Sequence, residues 1–160
     1  MTYRGLIAAS TAVGILLAGC GEPPSKSDYI ADADKVCKSA QKELRGSTAP
    51  LQAALQRGGS PTQLLPRISS GLASAERAAR EQVDKLATIP RPTGPAGSRA
   101  NEYLDAVRGN LELIAALRRR AAQTDLRGFQ RNGQRLTAAG QRTSRLAREY
   151  GFLVCGRSGS

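Results

Sequence analysis

Four stretches of this chain repeat an apolar or small residue every three or four positions, the spacing of one face of an α-helix. They predict long helices over residues 28–45, 61–87, 99–123 and 126–150, and a shorter helix is predicted over 47–56. Four long amphipathic helices with short connections favour an all-α fold, an up-down-up-down four-helix bundle. In that topology the first and fourth helices are antiparallel neighbours, and the start of the first lies beside the end of the fourth.

Glycine, proline and capping residues predict where the first three helices begin and end. Ser27 is expected to cap the first helix, and Gly46 is expected to end it. Residues 89–97 contain three prolines and two glycines. We therefore expect a connector there that is not helical, followed by Ser98 as the next N-cap.

The fourth helix has the clearest predicted boundaries. Asp125 precedes it as a capping residue, and Gly151 follows it as a residue suited to the left-handed conformation of a helix end. Phe152 is then expected to pack back onto the core. The core face of this helix is small in its middle, at Gly133 and Gly140, so a neighbouring helix is expected to approach closely there.

The first nineteen residues have the composition of a secretory signal peptide. Arg4 and the free N-terminus supply positive charge, and residues 6–18 supply an apolar stretch of about thirteen residues. A helix needs about 20 apolar residues to span the core of a bilayer, so this stretch is too short for a transmembrane helix. We expect residues 1–19 to be removed.

Leu17, Ala18, Gly19 and Cys20 form the series aliphatic, small, small, cysteine, which resembles the lipobox of bacterial lipoproteins. The resemblance implies cleavage before Cys20, a diacylglyceryl group on its thiol and often an acyl chain such as palmitate on the new amine. Two or three such chains hold a protein durably on a bilayer, whereas one is marginal. The protein is thus expected to be lipid-anchored at the cell membrane, on its extracytoplasmic face.

This anchor divides the chain into four predicted parts. Residues 1–19 are the signal peptide, 20–27 the lipidated cysteine and a polar tether, 28–156 the helical bundle, and 157–160 a disordered tail. The ending Gly-Phe-Leu-Val-Cys-Gly also resembles small alanine- and arginine-rich lipoproteins of high-GC Gram-positive bacteria. That resemblance implies a location and a helical fold but no activity.

With Cys20 lipidated, Cys37 and Cys155 remain as one pair in an oxidising compartment. The bundle topology brings them within reach of each other, so we expect a disulfide that closes a loop of about 120 residues. Two buried free thiols are the alternative. A metal or redox role is not favoured, because no Cys-x-x-Cys spacing and no histidine accompany the pair.

The composition excludes several classes of chemistry. The chain contains no His and no Trp, and its only Met is the initiator. Haem, copper and ordinary zinc sites therefore lack their usual ligands, and mechanisms that pair histidine with serine or cysteine are excluded. No glycine motif for phosphate or dinucleotide binding is present. We expect neither an enzyme nor a bound cofactor.

Three acidic residues of the third predicted helix were the remaining candidates for a metal site. Glu102, Asp105 and Glu112 fall away from the apolar stripe of that helix. Such positions are typical of a solvated helix face, and no loop supports coordination. We predict no metal site.

Arginine is concentrated toward the C-terminus, with nine arginines and one acid between Arg118 and Arg148. The fourth helix carries a stripe of them nearly opposite its apolar face: Arg131, Arg135, Arg142 and Arg145. One interpretation is a solvated exterior. The other is a surface that binds anionic lipid headgroups, a wall polymer or an envelope protein. Nucleic acid is not expected, because the predicted location is outside the cell and few aromatic residues accompany the arginines.

Two functional hypotheses follow from these patterns. The first is a non-enzymatic envelope lipoprotein that binds an anionic surface or a partner protein, and it predicts a continuous positive face without a deep pocket. The second is a small-ligand carrier with an enclosed apolar pocket between the helices, suggested by Gly133 and Gly140.

Overall fold

The computed structural model describes residues 22–157, which form four α-helices. Their bounds are α1 Lys26–Gln56, α2 Pro61–Thr88, α3 Gly94–Ala122 and α4 Leu126–Tyr150. Close packing joins α1 to α2, α2 to α3 and α3 to α4, so consecutive helices form antiparallel pairs. This confirms the all-α, up-down-up-down bundle. The predicted signal peptide, Cys20 and positions 158–160 lie outside the described residues.

Helix α1 is longer at both ends than the sequence pattern predicted. Its N-cap is Ser25 rather than Ser27: the Ser25 hydroxyl accepts from the Asp28 N–H at 3.2 Å, and the Ser25 N–H donates to the Asp28 carboxylate at 3.3 Å. The helix also continues through Gly46, so the predicted break and the separate helix over 47–56 are wrong. An isolated glycine costs a helix only about 1 kcal/mol relative to alanine, which does not end it.

Helix α3 begins five residues earlier than predicted, at Gly94. Ser98 therefore lies inside the helix, and its hydroxyl donates to the Gly94 carbonyl at 3.4 Å instead of capping. Pro95 is compatible with this start, since the first turn of a helix leaves its N–H groups without intrahelical partners. The non-helical connector is shorter than expected and consists of residues 89–93.

The start of α3 packs tightly against this connector at Gly97. A Cβ atom at Gly97 would overlap the backbone carbonyl of Pro92, whereas a Cβ atom at Gly109, midway along the same helix, would meet nothing within 4 Å. Gly97→Ala is therefore expected to lower the free energy of unfolding by about 1–3 kcal/mol through overpacking. Gly109→Ala should instead raise it by up to about 1 kcal/mol. Urea unfolding measures the free energy of unfolding of both variants. Equal changes in the two variants would contradict the tight packing at Gly97.

Helix α4 has the predicted bounds and the predicted caps. The Asp125 carboxylate accepts from the Gly128 N–H at 2.8 Å, and Gly151 adopts a left-handed φ of 106°. Phe152 packs back as expected and is 4% exposed. Its ring centroid lies 4.8 Å from that of Tyr103 and 4.8 Å from that of Tyr150.

The interior consists of two apolar clusters. We call the end where α1 begins and α4 ends the disulfide end, and the opposite end the far end. All four helices contribute to the cluster at the disulfide end, which includes Tyr29, Leu86, Leu104 and Ala147. The cluster at the far end is built from α2, α3 and α4, with Leu65, Ile68, Leu72, Leu117 and Ala121 buried.

Residues 151–157, which we call the strap, lie between α1 and α4. Cys155 of the strap forms the predicted disulfide with Cys37 of α1, with the two Cα atoms 5.2 Å apart. On the other side, an Arg148 guanidinium from α4 donates to the Gly156 carbonyl at 3.3 Å. Helices α1 and α4 are thus linked mainly through the strap. The prediction that they pack as neighbours holds at the disulfide end, where Tyr29 and Lys26 of α1 contact the ring of Tyr150.

The α1 residue Asp34 holds the backbone of the strap. Its carboxylate is buried and accepts from three consecutive N–H groups, those of Leu153, Val154 and Cys155, at 2.8, 2.9 and 2.9 Å. A second α1 side chain, Gln41, donates to the Val154 carbonyl at 3.1 Å. The strap is therefore fixed by polar contacts as well as by the disulfide.

The disulfide itself is shielded by polar side chains from two other helices. The Tyr103 hydroxyl and the Gln82 amide each donate to the Cys37 sulfur at 3.6 Å. Burial raises the pKa of Tyr103 far above its ordinary value, so this hydroxyl keeps its proton and remains a donor. Cys37 is 2% exposed and Cys155 is partly exposed, so the bond lies at the edge of the interior.

Candidate anion-binding surface

The four arginines of the predicted stripe all lie exposed on α4: Arg131, Arg135, Arg142 and Arg145. At 100° per residue they fall within an arc of about 80°, so they share one face of the helix. The exposure of this stripe agrees with both interpretations of it, a solvated exterior and a binding surface. The charged residues beside the stripe differ from one end of it to the other.

The stripe has a fifth member, Arg127, which was not predicted. It is exposed and lies four residues before Arg131, so it extends the same face into the first turn of α4. The i,i+4 spacing was the signal that could have found it. We call Arg127, Arg131 and Arg135 the far-end arginines, and no ion pair involves them within residues 22–157.

Arg142, in contrast, lies beside an acidic region of α3. Its guanidinium is 4.0 Å from the Glu102 carboxylate, at a groove of about 690 Å³ between α3 and α4. Asp105 also lines this groove and pairs with Arg108 at 3.0 Å. The positive charge of the stripe is therefore partly neutralised toward the disulfide end.

This groove differs from the enclosed apolar pocket that a small-ligand carrier was predicted to have. It is open to solvent, and its lining mixes apolar residues with two acids, an arginine, Asn101 and Thr143. The two glycines that suggested a pocket do not line it. Gly140 has open space where a Cβ atom would lie, and at Gly133 the nearest atom is a Leu117 methyl group at 4.0 Å, so neither shows the predicted close helix approach.

The three consecutive arginines at the end of α3 have three different environments. Arg118 reaches across to α2, where its Nε lies 2.6 Å from the Glu76 carboxylate. Arg120 lies 3.3 Å from the N-capping carboxylate of Asp125. Arg119 is exposed and forms no ion pair with the described part of the chain. Only the middle arginine of the three is therefore without a carboxylate partner.

Glu76 pairs with two guanidinium groups, those of Arg118 and Arg80, and so neutralises none of the far-end arginines. Its side chain is 13% exposed, and Arg80 approaches it at 3.3 Å in addition to Arg118. Desolvation would raise the pKa of Glu76, but the hydrogen bonds and charges of Arg118 and Arg80 together hold the pKa below its ordinary value. Glu76 is therefore a structural anion at neutral pH.

Charge is distributed unevenly along the bundle. The far half, residues 42–74 and 109–137, contains ten basic and three acidic side chains. The remaining residues of the described chain contain thirteen basic and ten acidic ones. Two of the three far-half acids are Asp125, which is paired, and Glu112, which is exposed. The net positive charge is therefore concentrated at the far end.

Within residues 22–157, no group of three or more candidate ligand side chains is placed to hold a metal ion. Glu102 and Asp105, two of the acids of α3, instead pair with Arg142 and Arg108. None of the helices in this part of the chain is both long and apolar enough to cross a membrane. Searches against protein-family models, curated proteins and solved structures find no match to this chain.

Proposed function

We propose that this protein is a non-enzymatic lipoprotein, anchored through Cys20 at the extracytoplasmic face of the cell membrane, whose arginine surface binds an anionic component of the envelope. The observation that carries the binding proposal is the concentration of unpaired arginine at the far end of the bundle. The lipobox-like series that ends at Cys20 supports the anchor. The anchor and the binding surface are carried by different parts of the chain: Cys20 carries the anchor, and the far-end arginines carry the binding surface.

The position of the anchor relative to the arginines limits how the surface is used. Helix α1 begins six residues after Cys20, a distance of at most roughly 20 Å when extended, so the disulfide end is nearest the membrane. Helix α1 has 31 residues, so an upright bundle places its far end about 45 Å further out. The far-end arginines then meet polymers beyond the membrane, and they meet lipid headgroups only when the bundle lies on its side.

Weak binding is sufficient for a tethered domain. An anchor keeps the surface within tens of ångströms of its ligand, and the resulting effective concentration is in the millimolar range for short flexible linkers. Each arginine near an anionic surface contributes about 1 kcal/mol at physiological salt. Because exposed charges are screened by salt, the interaction is expected to weaken as ionic strength rises.

The far-end arginines provide the test. We expect the triple variant Arg127→Gln, Arg131→Gln, Arg135→Gln to bind a soluble glycerol-phosphate polymer at least tenfold more weakly than the natural protein, given about 1 kcal/mol for each charge removed. The assay uses the natively acylated protein reconstituted in phosphatidylcholine vesicles. Binding of the fluorescent polymer is measured at 0.1 M salt.

A matched control removes the same charge elsewhere. The triple variant Arg77→Gln, Arg99→Gln, Arg108→Gln changes three exposed arginines that lie outside the far half of the bundle. It should alter binding less than twofold. Equal losses in the two triple variants would mean that only net charge matters, and absence of binding to the natural protein would refute an anionic ligand.

A further inference from the structure

A second, smaller cleft lies at the far end, between the last turns of α3 and the first turns of α4. Its volume is about 220 Å³, which corresponds to several water molecules. Its lining is almost entirely polar and cationic, and it contains no carboxylate: Ala116, Arg119, Arg120, Gln123 and Asn132. It is separate from the acidic groove around Glu102.

The side chains of this cleft have hydrogen-bond donors to spare. Arg119 has neither an ion pair nor a side-chain hydrogen bond within the described chain, and the same is true of the amides of Gln123 and Asn132. Arg120 uses Nη1 to reach Asp125. A guanidinium carries five N–H donors in a planar fork, so Arg120 retains several of them.

The nearest carboxylate is already committed to the fold. Asp125 accepts the Gly128 N–H through Oδ1 and faces Arg120 through Oδ2. It caps α4 and orients Arg120 at the rim of the cleft, while the rest of the far half is strongly positive. The remaining acid on this side of α3 is Glu112, one turn before Ala116 and exposed to solvent.

We propose that this cleft binds a single phosphate group of a phosphodiester or phosphate ligand. Two guanidinium groups and two carboxamides, from the end of α3 and the start of α4, line one cleft, and that set of donors suits a tetrahedral anion with several acceptor oxygens. A planar carboxylate would use fewer of these donors. The inference rests on the proposed function in one respect, the anionic character of the ligand, and it adds a defined site to a diffuse surface.

Substitutions that leave the net charge unchanged separate a defined site from diffuse attraction. Asn132→Ala removes a donor but no charge and is expected to weaken binding at least threefold. Gln130→Ala, on an exposed part of α4 outside the cleft, should have no effect. Arg119→Gln is expected to weaken binding at least twentyfold, whereas Arg131→Gln, which removes the same charge, should weaken it about fivefold, the factor that corresponds to about 1 kcal/mol for one charge near an anionic surface.

The assay uses the acylated full-length protein in phosphatidylcholine vesicles with three probes: inorganic phosphate, a soluble glycerol-phosphate polymer, and separate vesicles containing phosphatidylglycerol. The probe that binds most tightly and is sensitive to Asn132→Ala identifies the source of the phosphate. If no probe is sensitive to Asn132→Ala, and Arg119→Gln costs no more than Arg131→Gln, the defined site is refuted. The proposed function still stands in that case if the far-end triple variant loses binding, and it fails if that variant binds normally.

Discussion

Replacing both Cys37 and Cys155 with alanine should lower the free energy of unfolding by about 3–5 kcal/mol, the largest effect we expect from any change in this chain. The bond joins residues that are 118 positions apart, so without it the unfolded chain regains the entropy of a long open loop. The strap also loses its covalent link to α1. Urea unfolding of the variant and of the natural protein, both under oxidising conditions, measures the difference.

Reduction supplies the matched control. Adding a strong thiol reductant to the natural protein should reproduce most of the loss seen in the double variant and should leave the double variant unchanged. A difference in unfolding free energy below about 1 kcal/mol would lie outside the usual range for a native disulfide and would contradict a stabilising role for this bond.

Asp34→Ala is expected to lower the free energy of unfolding by about 3 kcal/mol, because it leaves three backbone N–H groups of the strap without their acceptor. Hydrogen bonds to an ionised carboxylate are stronger than those between neutral groups. Asp34→Asn keeps an acceptor oxygen but loses the charge, so it should cost less. Amide hydrogen exchange of Leu153, Val154 and Cys155 should accelerate in the same order.

The exposed Asp32 is the control for Asp34, because it lies two residues away and differs in surroundings. Among the described residues it pairs only with Lys35, at 2.8 Å, in a contact exposed to solvent. Asp32→Ala should therefore change stability by less than about 1 kcal/mol. If Asp34→Ala were as mild as Asp32→Ala, the Asp34 carboxylate would not be among the contacts that hold the strap.

The strap shows which parts of this fold could be predicted from sequence. Cysteine count, helix periodicity and Gly151 were sufficient to predict the disulfide, the bounds of α4 and the return of Phe152. The role of Asp34 was not predicted. Its partners are more than a hundred residues away in sequence, and no local pattern reports a contact of that range.

The helix ends that were mispredicted have a related cause. Gly46 and Ser98 resemble a helix stop and an N-cap, yet both lie inside helices. Local preferences of this kind amount to about 1 kcal/mol and are readily overridden by the packing of the helices against one another.

The candidate site could also be predicted only in part, but the reason differs from that for the helix ends. The arginine stripe follows from helix periodicity, so its four predicted members do lie exposed on one face of α4. Which of them are neutralised depends on the neighbouring helix, as Glu102 beside Arg142 shows. The small cleft combines Arg119 with Asn132, and it required the packing of α3 on α4 to be known.

The proposed function depends first on the anchor at Cys20. The most direct test is the intact mass of the protein purified from its native membranes, measured beside Cys20→Ala and combined with a count of free thiols after denaturation. We expect a mass that fits cleavage before Cys20 plus two or three acyl chains, no free thiol, and loss of the variant from the membrane fraction. An unacylated natural protein with a free thiol would contradict the anchor and, with it, the proposed envelope lipoprotein.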